Sequence, residues 1–282
     1  MAYDHIPSVD PATGLFYSAV QNVQDNRSAF FANNAISQAG LVLTLSETAV
    51  STTTTLSSGY LGKMIACTAT AAAFTLTLPT AASYAGYQIG VRITPSSTKL
   101  VTLASSGGTF EGLSTRVMWA GESATLESDG TNWIKIAGKT RPMTCQYQDI
   151  TAIAIAANSQ TTITFDTIGR DNTGLMASSS RIYINRPGLY SVKARIGLAN
   201  APANSIRCIT TVYKNLATTV IQQEVNAVTG TYLTFVASDD IALVAGDFLQ
   251  LQFYHAAGVS WSTYGVNGSS NSAMTVTEIP DW

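Results

Sequence analysis

The chain has 282 residues, enough for two or three domains or one large β domain, and 46% are hydrophobic, which excludes global disorder. Only 11% are charged, against about 25% in ordinary soluble domains, so Ser, Thr, Asn, Gln and Ala must cover the surface or an oligomer must bury it. A net charge of −2 supplies no basic field for nucleic acid, and no apolar run approaches the roughly 20 residues of a membrane helix.

Residues 1–40 read as an N-terminal attachment segment. The first ten lack the basic and apolar regions of a secretory signal, so a protein acting outside a cell would leave by another route, such as lysis. Pro7, Pro11 and Gly14 break the opening stretch. Residues 18–38 are the one plausible helix, with Val20, Val23, Arg27, Phe30 and Asn34 three or four apart and Gly40 as its stop. The stripe is too short and mixed to stand alone or to coil. It is expected to dock on another protein, on sister subunits or on its own domain.

Residues 41–138 read as a β-rich spacer module. The threonine-rich stretch 41–55 suits an exposed strand or a linker. Strands are expected over 61–70, over 74–79 with Phe74, Leu76 and Leu78 on one face, over 87–94, and over 99–104. Gly107 and Gly108 turn the chain, and Ser128-Asp129-Gly130-Thr131 makes a hairpin between Leu126 and Trp133. The segments F-T-L-T-L-P and G-E-S-A-T-L-E-S-D-G-T-N-W resemble small β modules of tailed-phage fibres and other virion appendages. Gly138, Lys139, Arg141 and Pro142 give the stretch 138–144 the look of a linker.

Residues 145–282 read as a jelly-roll head domain. Strands are expected over 152–156, 161–166, 181–185, 188–198, 206–213, 219–225, 231–237, 247–255 and 272–279. Pro187-Gly188 would aim Leu189, Tyr190 and Val192 into the core, and Gly246-Asp247 would do the same for Phe248, Leu249 and Leu251. The order R-I-Y-I-N-R-P-G-L-Y-S-V, then C-I-T-T-V-Y-K-N, then A-G-D-F-L-Q-L-Q-F resembles the trimeric jelly rolls of the complement and tumour-necrosis-factor type. That resemblance implies a homotrimer with the first and last head strands side by side at its centre, here Ile153–Ile155 near Met274–Val276. The fold class expected is therefore mainly β, with a short helix only in the attachment segment.

No catalytic constellation can be assembled. His5 and His255 lie far apart, and His255 at a strand end reads as structural. Asp239 and Asp240 are expected at a turn, as are Asp166 and Asp171. Glu47, Glu111, Glu122 and Glu127 show no pairing signal, and no calcium-loop spacing or phosphate cradle occurs. Cys67, Cys145 and Cys208 form neither a zinc pattern nor a disulfide framework and read as buried thiols. No catalytic residue, metal or cofactor is expected.

Recognition is easier to place. The loop 255–272 is rich in Gly, Ser and Asn, and His255, Trp261, Tyr264 and Asn267 are its candidate binding residues. The expected function is a non-enzymatic virion protein on the exterior of a tailed phage, a homotrimeric fibre or appendage whose head binds a host-surface glycan or protein. Residues 1–40 would hold another virion protein, with no nucleic acid bound and no membrane inserted. A capsid decoration protein is the alternative. A polysaccharide-degrading tailspike is disfavoured because no β-helix repeat is visible in the sequence.

Overall fold

The computed structural model describes residues 47–280, apart from 175, 202–205, 228–229 and 266–270. The attachment segment and its helix lie outside the described residues.

The first unit contains nine strands: β1 Glu47–Val50, β2 Thr54–Thr55, β3 Met64–Cys67, β4 Phe74–Leu78, β5 Gln88–Ile93, β6 Val101–Ser105, β7 Thr115–Met118, β8 Ser123–Ser128 and β9 Trp133–Lys139. From β1 to β6, consecutive strands alternate between two sheets, ordered β1-β3-β5-β8-β9 and β2-β4-β6-β7. Within each sheet the first three strands pair in parallel, Val50 with Cys67 and Cys67 with Ile93, Thr54 with Leu76 and Leu76 with Leu103. The chain therefore winds three rungs of a two-sided β coil before β7, β8 and β9 close it antiparallel.

Alternation explains why these residues coil. Phe74, Leu76 and Leu78 all point inward, and stacking Leu76 on Leu103 and Ile65 on Val91 builds one dry core between the sheets. Residues 47–55 thus contribute a first rung, where sequence alone allowed an exposed strand or a linker. No repeat betrays the coil because the turns between rungs differ in length, so equivalent positions never recur at one period. At the expected hairpin, the Asp129 carboxylate accepts N–H bonds from Thr131 at 2.7 Å and Asn132 at 2.6 Å. Trp133 follows it inward and donates its indole N–H to the Pro79 carbonyl at 3.0 Å.

The second unit is a sandwich. Its strands are β10 Thr144–Asp149, β11 Ala154–Ile155, β12 Thr161–Thr162, β13 Thr167–Asp171, β14 Ala177–Ser178, β15 Arg181–Tyr183, β16 Gly188–Ala201, β17 Ile206–Lys214, β18 Thr218–Ala227, β19 Gly230–Leu243, β20 Phe248–His255, β21 Trp261–Ser262 and β22 Ser272–Ile279. One sheet runs β13-β10-β22-β16-β19 and the other β14-β15-β20-β17-β18, with β12 added on β20. The chain crosses from layer to layer in a jelly-roll path, and every pairing is antiparallel. Tyr190, Val192, Ala194 and Ile196 from one layer meet Val212, Leu249, Leu251 and Phe253 from the other.

Several expectations need correction. The strand beside β22 is β10, with Cys145 opposite Val276 and Tyr147 opposite Met274, while Ala154 and Ile155 pair instead with β21. The alternation of Cys145, Tyr147 and Asp149 was hidden by polar Gln146 and Gln148 on the opposite face. Leu189 is 41% exposed because it neighbours Tyr190 in an extended strand and must face the other way. Asp239 and Asp240 sit within β19, paired with Val192 and Ser191, and not at a turn. The strand expected over 161–166 keeps only Thr161 and Thr162 in register.

Candidate functional site

The loop singled out by sequence turns Trp261 inward. Trp261 is 5% exposed and stacks on the fully buried His255 ring, 4.2 Å between centroids at 8° between planes. The short β11–β21 pairing draws them together by setting Ile155 opposite Trp261. The amide of Ala257 donates to Nδ1 of His255, so Nε2 carries the proton and donates to the Ile155 carbonyl, both at 3.3 Å. Burial pulls the imidazole below its ordinary pKa, with the Ile155 hydrogen bond opposing, so the ring is neutral at pH 7. Both nitrogens are engaged by backbone, which leaves neither for a substrate. Tyr264 is half-buried, its amide donating to Gly197 at 2.9 Å, and Asn267 lies outside the described residues.

Two residues beyond Trp261, Thr263 meets a buried carboxyl. Asp149 accepts from the Thr263 hydroxyl at 2.8 Å and the Thr151 amide at 3.0 Å. Burial pushes it up to about 6, against the lowering effect of those two bonds, and the nearby Asp166 charge adds to the rise.

The densest polar constellation is one that sequence reading missed. Arg186 ends the segment before Pro187 and is buried between the two units. Its Nε donates to Oε1 of Glu278 at 2.7 Å and its Nη2 to Oε2 of the same carboxylate. Its Nη1 reaches both oxygens of Glu122, at 2.9 and 3.1 Å, and the Val117 carbonyl at 3.0 Å. Glu122 belongs to the turn between β7 and β8 of the first unit, Glu278 to the last strand of the second. Both carboxylates are also held by backbone: Arg141 and Trp119 donate their amides to Glu122, and Met143 to Glu278. Desolvation pulls the guanidinium down, but its bonds to Glu278 and the charge of Glu122 outweigh this and hold it above its ordinary value.

Residues 140–143 are therefore pinned rather than free. Trp119 packs into the core of the second unit, donates its indole N–H to the Arg141 carbonyl at 3.0 Å and carries the Arg141 guanidinium over its ring at 4.2 Å. Sequence carried no signal of this ion pair because Arg186 lies 64 residues from Glu122 and 92 from Glu278. Glu47 is also paired, bidentate with Arg92 at 2.8 and 2.6 Å, at an exposed site. Among the described residues, no three His, Cys, Asp or Glu side chains gather where a metal ion could be held.

No protein-family model matches the chain, and no curated protein matches it. Solved structures do. Eiger TNF from S. frugiperda is similar at 11% identity over 50% of this chain and 96% of that one, with a TM-score of 0.39. Murine APRIL is similar at 9% identity over 49% of this chain and 100% of that one, with a TM-score of 0.37. The jelly-roll path of the second unit rests on its own strand order and register.

Proposed function

We propose that the protein is a non-enzymatic structural component of a tailed-phage virion, a homotrimeric appendage on the particle exterior whose jelly-roll head meets the host surface. The observation that carries this reading is the joint at Arg186. A buried guanidinium shared by carboxylates of both units, with Trp119 driven into the head core, couples spacer and head into one stiff body. Such coupling suits a part that must present a head at a distance. Residues 1–40 are the proposed tether to another virion protein.

The trimer is supported by the outward face of β10 and β22. Gln146, Gln148, Thr275 and Thr277 line its centre, uncharged and partly shielded already, with Arg170 opposite Gln146 and Lys193 opposite Thr275 at its edges. Uncharged polar groups that find partners across an interface cost less to desolvate than charges do, and this centre matches the low charge of the whole chain. Two measurements test the reading: the mass of the purified chain, and its position on virions tagged at the C-terminus. A trimer at the tail that competes with phage for adsorption supports it. Tagged density on shell facets would make it a decoration protein, and release of reducing sugar from host polysaccharide would overturn it.

A further inference from the structure

The outer face of the β20-β17-β18 layer holds a depression of about 370 Å³, inside the roughly 300–1,000 Å³ range of small-ligand sites. It forms because Arg207, Ile209, Thr211 and Tyr213 alternate outward along β17 and meet Tyr254 from β20, opposite Ile209, and Gln222 from β18, opposite Thr211. Thr211 is only 2% exposed and makes the floor. One wall is Gln160, whose amide donates to the Tyr213 hydroxyl at 3.1 Å. The other is Arg207, bidentate with Glu224 at 2.7 and 2.9 Å.

The chemistry narrows the occupant. Arg207 is neutralised by Glu224, and the other lining groups are uncharged, so there is no free cation to select an acidic ligand. β17 is paired on both sides, so its backbone cannot take an added peptide strand. What remains is half-buried tyrosine surface beside two amides and a hydroxyl, each able to donate and accept. Sugars present the complementary set: apolar C–H faces edged by hydroxyls. The site is in the sandwich layer opposite the β10–β22 face, so it stays open in the proposed trimer.

We infer that this depression binds a neutral oligosaccharide, Tyr213 and Tyr254 supplying ring surface and Gln160, Gln222 and Thr211 meeting hydroxyls. This rests on the host-surface reading and gives it a ligand class. The test applies the full chain to immobilised neutral hexose oligosaccharides, to their sialylated and sulfated counterparts, and to purified host polysaccharide. Neutral members should bind, and Tyr254→Ala should weaken them by about tenfold, with Gln160→Ala as a second variant at an exposed loop position that leaves folding intact. Binding only to acidic members, no binding to any member, or binding untouched by both variants overturns the inference. If neutral sugars bind at Tyr254 yet the protein neither sits at the tail nor blocks adsorption, the site stands and the host-attachment reading falls. If adsorption is blocked while both variants adsorb normally, the reverse holds.

Discussion

Arg186 of the second unit and Glu122 of the first form a buried ion pair across the two, both side chains 2% exposed and 2.9 Å apart. Removing the cation leaves two carboxylates, Glu122 and Glu278, without their partner in the interior. Arg186→Ala should therefore lower unfolding free energy by about 3–5 kcal/mol. Urea denaturation followed by tryptophan fluorescence reads this directly, since Trp119 lies beside the pair. A loss below about 1 kcal/mol would show that the joint is held by packing alone.

Asp149 gives a pH signature. Its folded pKa of about 6 is above its ordinary 3.8, so the folded state holds a proton that the unfolded state has released between those values. The stability it contributes is complete below about pH 4 and is lost as pH rises through 6. Asp149→Asn keeps an acceptor for Thr151 and should remove this term. Between pH 7 and 5 the parent should gain about 1 kcal/mol of stability relative to the variant, with a similar further gain on going down to pH 4. His255 acts in the opposite sense, because its depressed pKa means that neutral-pH stability is lost on acidification below its ordinary 6.5. It is common to both proteins and cancels in the comparison. Parallel pH profiles would remove Asp149 from the account.

The three cysteines should be silent in the native protein. All are buried and unpaired, and burial pushes the thiols of Cys67 and Cys145 up to about 12 and that of Cys208 to about 11. A chromogenic disulfide reagent should label none at pH 8 and all three in guanidinium. Rapid native labelling would mean that one of the cores opens.

Glycine substitutions separate turn strain from mere presence in a turn. Gly108 has φ +92°, and a β-carbon there would come within 2.2 Å of the Thr131 carbonyl oxygen. Gly108→Ala should cost well over about 1 kcal/mol, while Gly59→Ala, whose nearest neighbour is a side-chain oxygen at 3.7 Å, should be close to neutral. Thermal melts of the two variants give the comparison.

Thr277 tests the assembly. It faces outward on β22, between Thr144 and Ser191 in the register. Thr277→Asp places three like charges together if three copies meet on this face, and native mass spectrometry should then show monomer. An unchanged trimer would move the interface elsewhere.

Sequence reading reached the β class, the alternation of Phe74, Leu76 and Leu78, the Asp129 hairpin and the burial of the cysteines, because each is a local pattern of period two or a turn chemistry. It missed the coil, since parallel rungs joined by unequal turns leave no period. It missed β10, whose outward glutamines masked an inward alternation. It nominated Trp261 for binding from loop composition, although the two-residue β11–β21 pairing folds that ring onto His255. Arg186 with its two glutamates was invisible for a plain reason: ion pairs so distant in sequence leave no trace in any window.

The parallel rungs of the first unit carry a consequence for reach. An antiparallel sandwich has a set strand count, but a coil lengthens by repetition, each added rung advancing the stack by about 4.8 Å. A rung inserted between β2 and β3 would meet the same inward aliphatic ladders and leave the turn bearing Glu122 untouched. The first unit is thus a ruler whose graduations are whole rungs, and its length can be retuned without rebuilding the sandwich that follows it.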